Sequence, residues 1–320
     1  MTGLWLDVAL LVLGIVVLYF GAEWLVRGAA HLAGSLGVSA MVVGLTVVSF
    51  GTSAPELVVS TVAALGGNAD LAVGNVIGSN LANIGLILGL TALIAPLDVQ
   101  SRVVWREMPV MLFVTFAFFP LAWDGELSVG DGALLLLALF AYLGFVFQSI
   151  ETEAPAILGE YEEFVRASTD GRPSVRGKDV TLIVSGSACL VVGGYAIVEG
   201  AIGVATGLGI SQVVIGLTVV AVGTSLPELA TSLVAASRGE ADIAVGNVIG
   251  SNIFNLSAIL GTAAVLEPIA IPSHVLSREL PALLVLSLLL LPLLRSDWRI
   301  QRWEGALLVG AYITAGVFLL

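Results

Sequence analysis

Long apolar blocks separated by short polar seams run the length of this chain. A bilayer crossing needs about 20 predominantly apolar residues. Ten blocks meet that length: Leu4–Trp24, Ala40–Leu65, Leu71–Ile94, Val103–Trp123, Val129–Gln148, Val180–Gly200, Gln212–Ser237, Ile243–Leu266, Val275–Leu294 and Trp303–Leu320. The seams are short except between the fifth and sixth blocks. That stretch is charged and holds Gly171, Pro173 and Gly177, as a linker does. The first block has no basic segment before it and is long enough to span, so it reads as a transmembrane helix and not a signal peptide. The pattern predicts an all-α membrane protein with ten transmembrane helices.

Lys and Arg set the direction, because cytoplasmic loops are enriched in them. With the N-terminus outside, the inner seams hold Arg27; Arg102 and Arg106; Arg166, Arg172, Arg176 and Lys178; Arg238; and Arg295, Arg299 and Arg302. The outer seams keep only Arg278. Both termini are then extracellular. Trp5, Trp24, Trp123, Trp298 and Trp303 fall near block ends, where an amphipathic ring anchors at the interface.

The blocks repeat. A segment from Ser39 to Asn83 aligns without a gap on Ser211 to Asn255, at a constant shift of 211 − 39 = 172, and about two-thirds of the positions are identical. Each copy covers the second and third helices of a five-helix half. An odd number of crossings per half makes the second half enter from the opposite face. The expected organisation is therefore a first five-helix repeat over residues 1–150, an acidic cytoplasmic linker over 151–178, and a second, inverted five-helix repeat over 179–320. Inverted repeats with interrupted helices and a midplane site are common in secondary transporters.

Composition narrows the class. The chain has 320 residues, 58% hydrophobic and 11% charged, against about 25% charged in soluble domains. Mean hydropathy is +1.05. The net charge of −12 argues against nucleic acid as a partner. Much of the acid lies in the linker, at Glu151, Glu153, Glu160, Glu162, Glu163 and Asp170, which reads as a solvated loop. The single cysteine, Cys189, cannot form an intrachain disulfide, and His31 and His274 lack the neighbours of a zinc or copper site.

The chemistry sits inside the repeats. Gly51-Thr52-Ser53-Ala54-Pro55-Glu56 matches Gly223-Thr224-Ser225-Leu226-Pro227-Glu228. Proline removes a backbone donor and clashes with the carbonyl four residues earlier. Pro55 and Pro227 should therefore break their helices and free carbonyls, including those of Thr52 and Thr224. An ionised carboxylate at the bilayer centre costs on the order of 2.5–3.5 kcal/mol. Neither repeat core contains a Lys or Arg to pair with Glu56 or Glu228, so a mobile cation or a proton is the natural partner. The second motif, Gly74 to Asn83 and Gly246 to Asn255, puts Ser79 and Asn83, and likewise Ser251 and Asn255, on one helix face. Its glycines read as a packing seam. Hydroxyls, carboxylates, amides and loosened carbonyls form an oxygen set for hard cations, and calcium takes about six to eight such ligands.

These paired motifs resemble the two α-repeats of the calcium/cation antiporter superfamily, and within it the prokaryotic sodium/calcium exchangers. The resemblance covers the ten-helix plan, the external termini and the central cytoplasmic loop. It implies antiport of Na+ against Ca2+ across the cell membrane by alternating access, the first and sixth helices sliding over the other eight. It implies calcium binding by Glu56 and Glu228 with the carbonyls of Thr52 and Thr224. One sodium site would use Thr52, Ser53, Glu56, Ser79 and the Ser49 carbonyl. Its mirror would use Thr224, Ser225, Glu228, Ser251 and the Ala221 carbonyl. Asn83 and Asn255 would complete the centre. Many members carry aspartate where Asn255 stands; an amide does not titrate, which removes a proton site there and argues against potassium dependence. The expected partners are Na+, Ca2+ and lipid. A monomer with no cofactor and no enzymatic activity is expected. The rival readings are a proton/calcium antiporter of the same superfamily, an intramembrane hydrolase using the two glutamates, and a cation channel.

Overall fold

The computed structural model describes residues 2–168, 177–208 and 223–319. Helices α1 (Thr2–Leu36), α2 (Ala40–Thr52), α3 (Ala54–Leu65), α4 (Ala69–Ile94), α5 (Val103–Leu121) and α6 (Val129–Ser168) form the first half. Helices α7 (Gly177–Gly207), α8 (Leu226–Ser237), α9 (Ala241–Leu266), α10 (Val275–Arg295) and α11 (Arg302–Leu319) form the second. Among the described residues seven helices are long and apolar enough to cross a membrane, and α2 with α3 forms an eighth span bent by 48°. The chain is an all-α membrane protein.

Of the ten expected spans, the seventh is described only from Gly223 onward; its 212–222 portion lies outside the described residues. The tenth is α11, a helix of 18 residues that opens on Arg302 and Glu304. Two boundaries differ from expectation. The first helix continues 12 residues past Trp24 to Leu36. Nothing before Gly37 breaks it; Gly37, at φ 66°, closes it with the Val38 amide donating back to the Ala33 carbonyl at 3.0 Å, the αL turn that commonly ends helices. The sixth helix likewise runs on through Ser168, so residues 149–168 are helical where a loop was expected. That segment holds five Glu and three Ala, which are strong helix formers. Asp170, Arg172 and Arg176 lie outside the described residues, as do the side chains of the linker acids and Arg166.

The two halves pack about an approximate twofold relation. Strand β1 (Leu97–Asp98) pairs antiparallel with β4 (Arg299–Ile300), and β2 (Glu126–Leu127) with β3 (Ile269–Ala270). The β1 residues plus 172 are the β3 residues, so each two-residue strand pairs with the opposite half. Short π-helical segments recur in the same register, at Val103–Glu107 and Val275–Glu279 and at Ala82–Ile87 and Asn255–Ile259. Each π turn adds a residue to the helix and re-aims the side chains beyond it, a device frequent at functional sites.

Helices α4 and α9 lie at the centre, with 72% and 83% of their apolar windows buried, whereas α1 and α7 lie outside at 17% and 22%. Outward surfaces are apolar, with Phe113, Phe140, Val184, Tyr195 and Phe318 all exposed. The interior holds the buried polar side chains. This arrangement suits a hydrocarbon surround, where polar groups must be satisfied within the protein. The five tryptophans near span ends are exposed.

Helices α1 and α7 pack antiparallel along glycines seven residues apart. Gly14, Gly21 and Gly28 in α1 correspond, at +172, to Gly186, Gly193 and Gly200 in α7. A Cβ at Gly186 would stand 2.6 Å from the Leu25 nitrogen and 2.8 Å from the Gly21 oxygen. One at Gly21 would stand 2.9 Å from the Leu190 nitrogen. Helix association in lipid depends on such close packing, since burial of apolar surface gains little there. Gly186→Val is therefore expected to destabilise the chain by about 1–3 kcal/mol, the usual cost of overpacking. A fall in thermal midpoint in detergent relative to Gly207→Val, a site with nothing within 4 Å, checks this.

Polar contacts between connections group the helix ends. Glu23 accepts from Arg27 at 2.8 Å and from the Arg238 Nε at 2.7 Å. His31 Nδ1 stands 3.5 Å from Asp179 Oδ1, and Gln100 donates to Asp242 at 2.5 Å. With the β1–β4 pair, these join connections that the charge pattern assigns to one face. The β2–β3 pair joins two connections assigned to the other.

Candidate cation site

Both proline-containing breaks lie in the middle of the protein. The first falls at Ser53 (φ −83°, ψ 9°), between α2 and α3, with Pro55 in the first turn of α3. Ser225 takes the same conformation before α8 (φ −90°, ψ 7°), with Pro227 in the first turn. Proline is favoured at a helix start, where its missing N–H costs nothing. Its effect here is to begin a second half-helix. Glu56 and Glu228 occupy the first turns of these half-helices, where the positive end of the helix dipole stabilises a carboxylate.

The two breaks face each other and exchange hydrogen bonds across the halves. Ser53 Oγ donates to Glu228 Oε1 at 3.0 Å, and Ser225 Oγ donates to Glu56 Oε1 at 3.4 Å. Each serine thus meets the glutamate of the other repeat. The resemblance groups Ser53 with Glu56 and Ser225 with Glu228 as ion ligands; the hydrogen bonds run across the repeats instead, Ser53 to Glu228 and Ser225 to Glu56. Glu56 is fully buried and Glu228 is 1% exposed. Their Oε2 atoms are buried without a hydrogen-bond partner. Among the described residues neither glutamate forms an ion pair.

The remaining predicted residues gather around this pair, with different engagements. Thr52 is fully buried; its hydroxyl lies 3.1 Å from Asn247 Oδ1 and 3.3 Å from the Ser49 carbonyl. Thr224 is half-buried and donates to Asn75 Oδ1 at 3.3 Å. The Ser49 carbonyl already accepts from the Ser53 amide at 2.9 Å as well as from Thr52. Ser49 Oγ donates to the Gly44 carbonyl at 2.7 Å and to the Asn247 carbonyl at 3.1 Å. Ser79 Oγ donates to the Asn75 carbonyl at 2.7 Å. Asn83, Asn255 and Ser251 are fully buried, and both amides and the Ser251 hydroxyl lack hydrogen-bond partners. Asn83 and Asn255 lie in the two matched π segments. Ala221 lies outside the described residues. Gly246 and Gly250 pack against α2: a Cβ there would stand 2.9 Å from the Met41 carbonyl and 2.6 Å from the Leu45 carbonyl.

Sequence reasoning missed Asn75 and Asn247. Each bridges both breaks. Asn75 Nδ2 donates to Ser60 Oγ at 2.9 Å and to the Glu56 carbonyl at 3.4 Å. Asn247 Nδ2 reaches Ser232 Oγ at 3.3 Å and the Glu228 carbonyl at 3.5 Å. The signal was present: Asn75 lies four residues before Ser79 and eight before Asn83, on the same helical stripe.

The site therefore offers two carboxylates with unpartnered oxygens, unsatisfied amides and hydroxyls, and oxygen donors at two helix breaks. Buried polar atoms are nearly always hydrogen-bonded. A cluster of unpartnered acceptors around two buried carboxylates fits hard cations as cargo.

Comparisons with known proteins agree with this chemistry. A family model described as "Sodium/calcium exchanger protein" matches residues 6–148 and 178–320. The chain is 39% identical to the putative antiporter CaxA of Alkalimonas amylolytica, over 94% of each protein. It is 37% identical to the sodium/calcium exchanger MaX1 of Methanosarcina acetivorans, over 97% of each. The solved structure of the sodium-calcium exchanger NCX_Mj soaked with zero Na+ and Ca2+ superposes with a TM-score of 0.83 at 34% identity, covering 98% of this chain and 99% of that one. With both halves matched by the family model and relatives similar over nearly their whole length, the chain belongs to the sodium/calcium exchanger protein family.

Proposed function

We propose that this chain is a secondary antiporter that exchanges Na+ for Ca2+ across the cell membrane by alternating access. The observation that carries the reading is the pair Glu56 and Glu228, one from each repeat, cross-bonded through Ser225 and Ser53 with their second oxygens unpartnered. Two carboxylates neutralise one divalent ion. The same oxygens can instead hold monovalent ions. A centre that must be filled before its charge can be reoriented, and that accepts one filling or the other, exchanges them.

In this reading Glu56 and Glu228 bind calcium with the backbone carbonyls of Thr52 and Thr224. Sodium uses the same carboxylates with Thr52, Ser53 and Ser79 near one break, and Thr224, Ser225 and Ser251 near the other. The carbonyls of Ser49 and Ala221 belong to these sodium sites; at Ser49 an ion would displace the Thr52 hydroxyl. Asn83 and Asn255 complete the centre. The work is transport without a cofactor or enzymatic step, and one chain holds the whole site, so a monomer suffices. Residues 1–150 and 179–320 act as the inverted repeats, joined through 151–178. Both termini face outward; the separate grouping of helix-end contacts supports this alternation of crossings, and the Lys/Arg pattern gives the direction.

The test is transport in proteoliposomes. Vesicles loaded with Na+ and diluted into Na+-free buffer containing 45Ca2+ are expected to accumulate it, and a pH gradient without Na+ is expected to drive none. Uptake driven by the pH gradient and indifferent to Na+ would instead establish the proton-coupled antiporter.

A further inference from the structure

We infer that Asn75 and Asn247 are positioning residues for ion exchange, each fixing the threonine at the break of the opposite repeat. The inference rests on the antiporter reading above and adds to it a determinant of sodium affinity. A matched pair of contacts carries it. The Asn247 carboxamide presents Nδ2 to the Glu228 carbonyl and Ser232, and Oδ1 to the Thr52 hydroxyl of the other half. The Asn75 carboxamide presents Nδ2 to the Glu56 carbonyl and Ser60, and Oδ1 to the Thr224 hydroxyl.

The direction of each amide follows from its neighbours. A backbone carbonyl only accepts, so the group facing Glu228 or Glu56 must be the NH2. The oxygen is then turned toward the threonine, which must donate. For Thr52 the neighbours are all acceptors: Asn247 Oδ1, the Ser49 carbonyl and the Glu228 carboxylate. Its single proton is committed to them, and the hydroxyl lone pairs are left for a cation. Asn247 thereby makes Thr52 an oriented acceptor and ties it to the helix carrying Glu228. Asn75 does the same for Thr224 and the helix carrying Glu56. Calcium is held chiefly by the two carboxylates. Sodium, with half the charge, depends more on neutral oxygens, so these asparagines set the sodium response.

The test is a double-mutant cycle in proteoliposomes, read as the Na+ concentration giving half-maximal release of internal 45Ca2+. Asn247→Leu is expected to raise it about tenfold, the lower end of what losing an outer hydrogen-bond partner costs an ion site. The maximal rate and half-saturating Ca2+ should stay near wild type. Thr52→Val should produce a similar shift, and the double variant no further one, because both remove the same interaction. If Asn247→Leu does not fold, Asn75→Leu with Thr224→Val runs the same cycle in the other half. An unchanged sodium response, or additive shifts in the double variant, would overturn the inference while leaving exchange intact. A wild-type chain with no sodium-driven calcium movement overturns both readings.

Discussion

Glu56→Gln is expected to stop sodium-driven calcium uptake and to leave the chain folded. The amide keeps the shape of the side chain and an oxygen for Ser225 to bond, at 3.4 Å in the native protein. It removes one of the two charges that balance a divalent ion. Because an uncompensated carboxylate in the membrane is itself costly, by on the order of 2.5–3.5 kcal/mol, the variant should be at least as stable as the native chain in ion-free buffer. What it should lose is stabilisation by calcium. A ligand at 100 times its dissociation constant adds about 2.7 kcal/mol to a folded protein. Native protein should therefore melt several degrees higher with saturating Ca2+, and Glu56→Gln should show no such rise. Its 45Ca2+ uptake should fall at least about a hundredfold, the loss expected if the missing charge contributes about 2.7 kcal/mol or more to binding. Uptake within a fewfold of native would remove Glu56 from the site.

Glu107→Leu should do the opposite, costing stability through a contact that includes none of the proposed ion ligands. Glu107 is fully buried and belongs to a pair that the protein supplies for itself: Arg102 Nε donates to Oε1 at 3.0 Å and Tyr142 donates to Oε2 at 2.9 Å. Arg102 is only 8% exposed at its side chain. Removing one partner of a buried ion pair costs about 3–5 kcal/mol, because the other charge loses its compensation. The matched position in the second half is a built-in control. Adding 172 turns Arg102 into His274 and Glu107 into Glu279, which face each other at 3.6 Å with the His274 side chain 52% exposed. A pair open to solvent at one partner is worth less than a buried one, and exposed pairs are worth about 0–1 kcal/mol, so Glu279→Leu should be milder than Glu107→Leu. Thermal unfolding of the two variants in the same detergent compares them. Equal losses would mean that burial of the Arg102–Glu107 pair does not set the cost.

These two glutamates show what the sequence made legible. Glu56 stood out because it recurs as Glu228 inside an apolar block, beside a repeated proline, with no basic residue nearby. Glu107 lies next to Arg106 and near Arg102 at a block edge, and resembles an ordinary interfacial acid. Its second oxygen is bonded by Tyr142, 35 residues away. The repeat, the spans and the two breaks follow from local pattern and were readable. The contacts between repeats were not: Ser53 with Glu228 and Thr52 with Asn247 join residues 175 and 195 positions apart, and only the inverted docking brings them together. The π segments were hidden because an extra residue in a helical turn leaves no mark on an apolar sequence. The α1–α7 glycine ladder was visible in retrospect, since its spacing of seven recurs at the same shift of 172. The helical stretch after Gln148 was concealed by its charge, which reads as loop although its residues favour helix.

In the proposed mechanism one site, built jointly by Glu56 and Glu228, holds either calcium or sodium. Equilibrium binding of 45Ca2+ to purified protein tests it most directly, with Na+ titrated against a fixed calcium concentration in native, Glu56→Gln and Glu228→Gln chains. Sodium is expected to displace calcium completely, with a slope showing more than one Na+ per Ca2+, and either substitution alone is expected to remove calcium binding. Calcium binding that persists at saturating Na+, or that survives in one of the two variants, would contradict it.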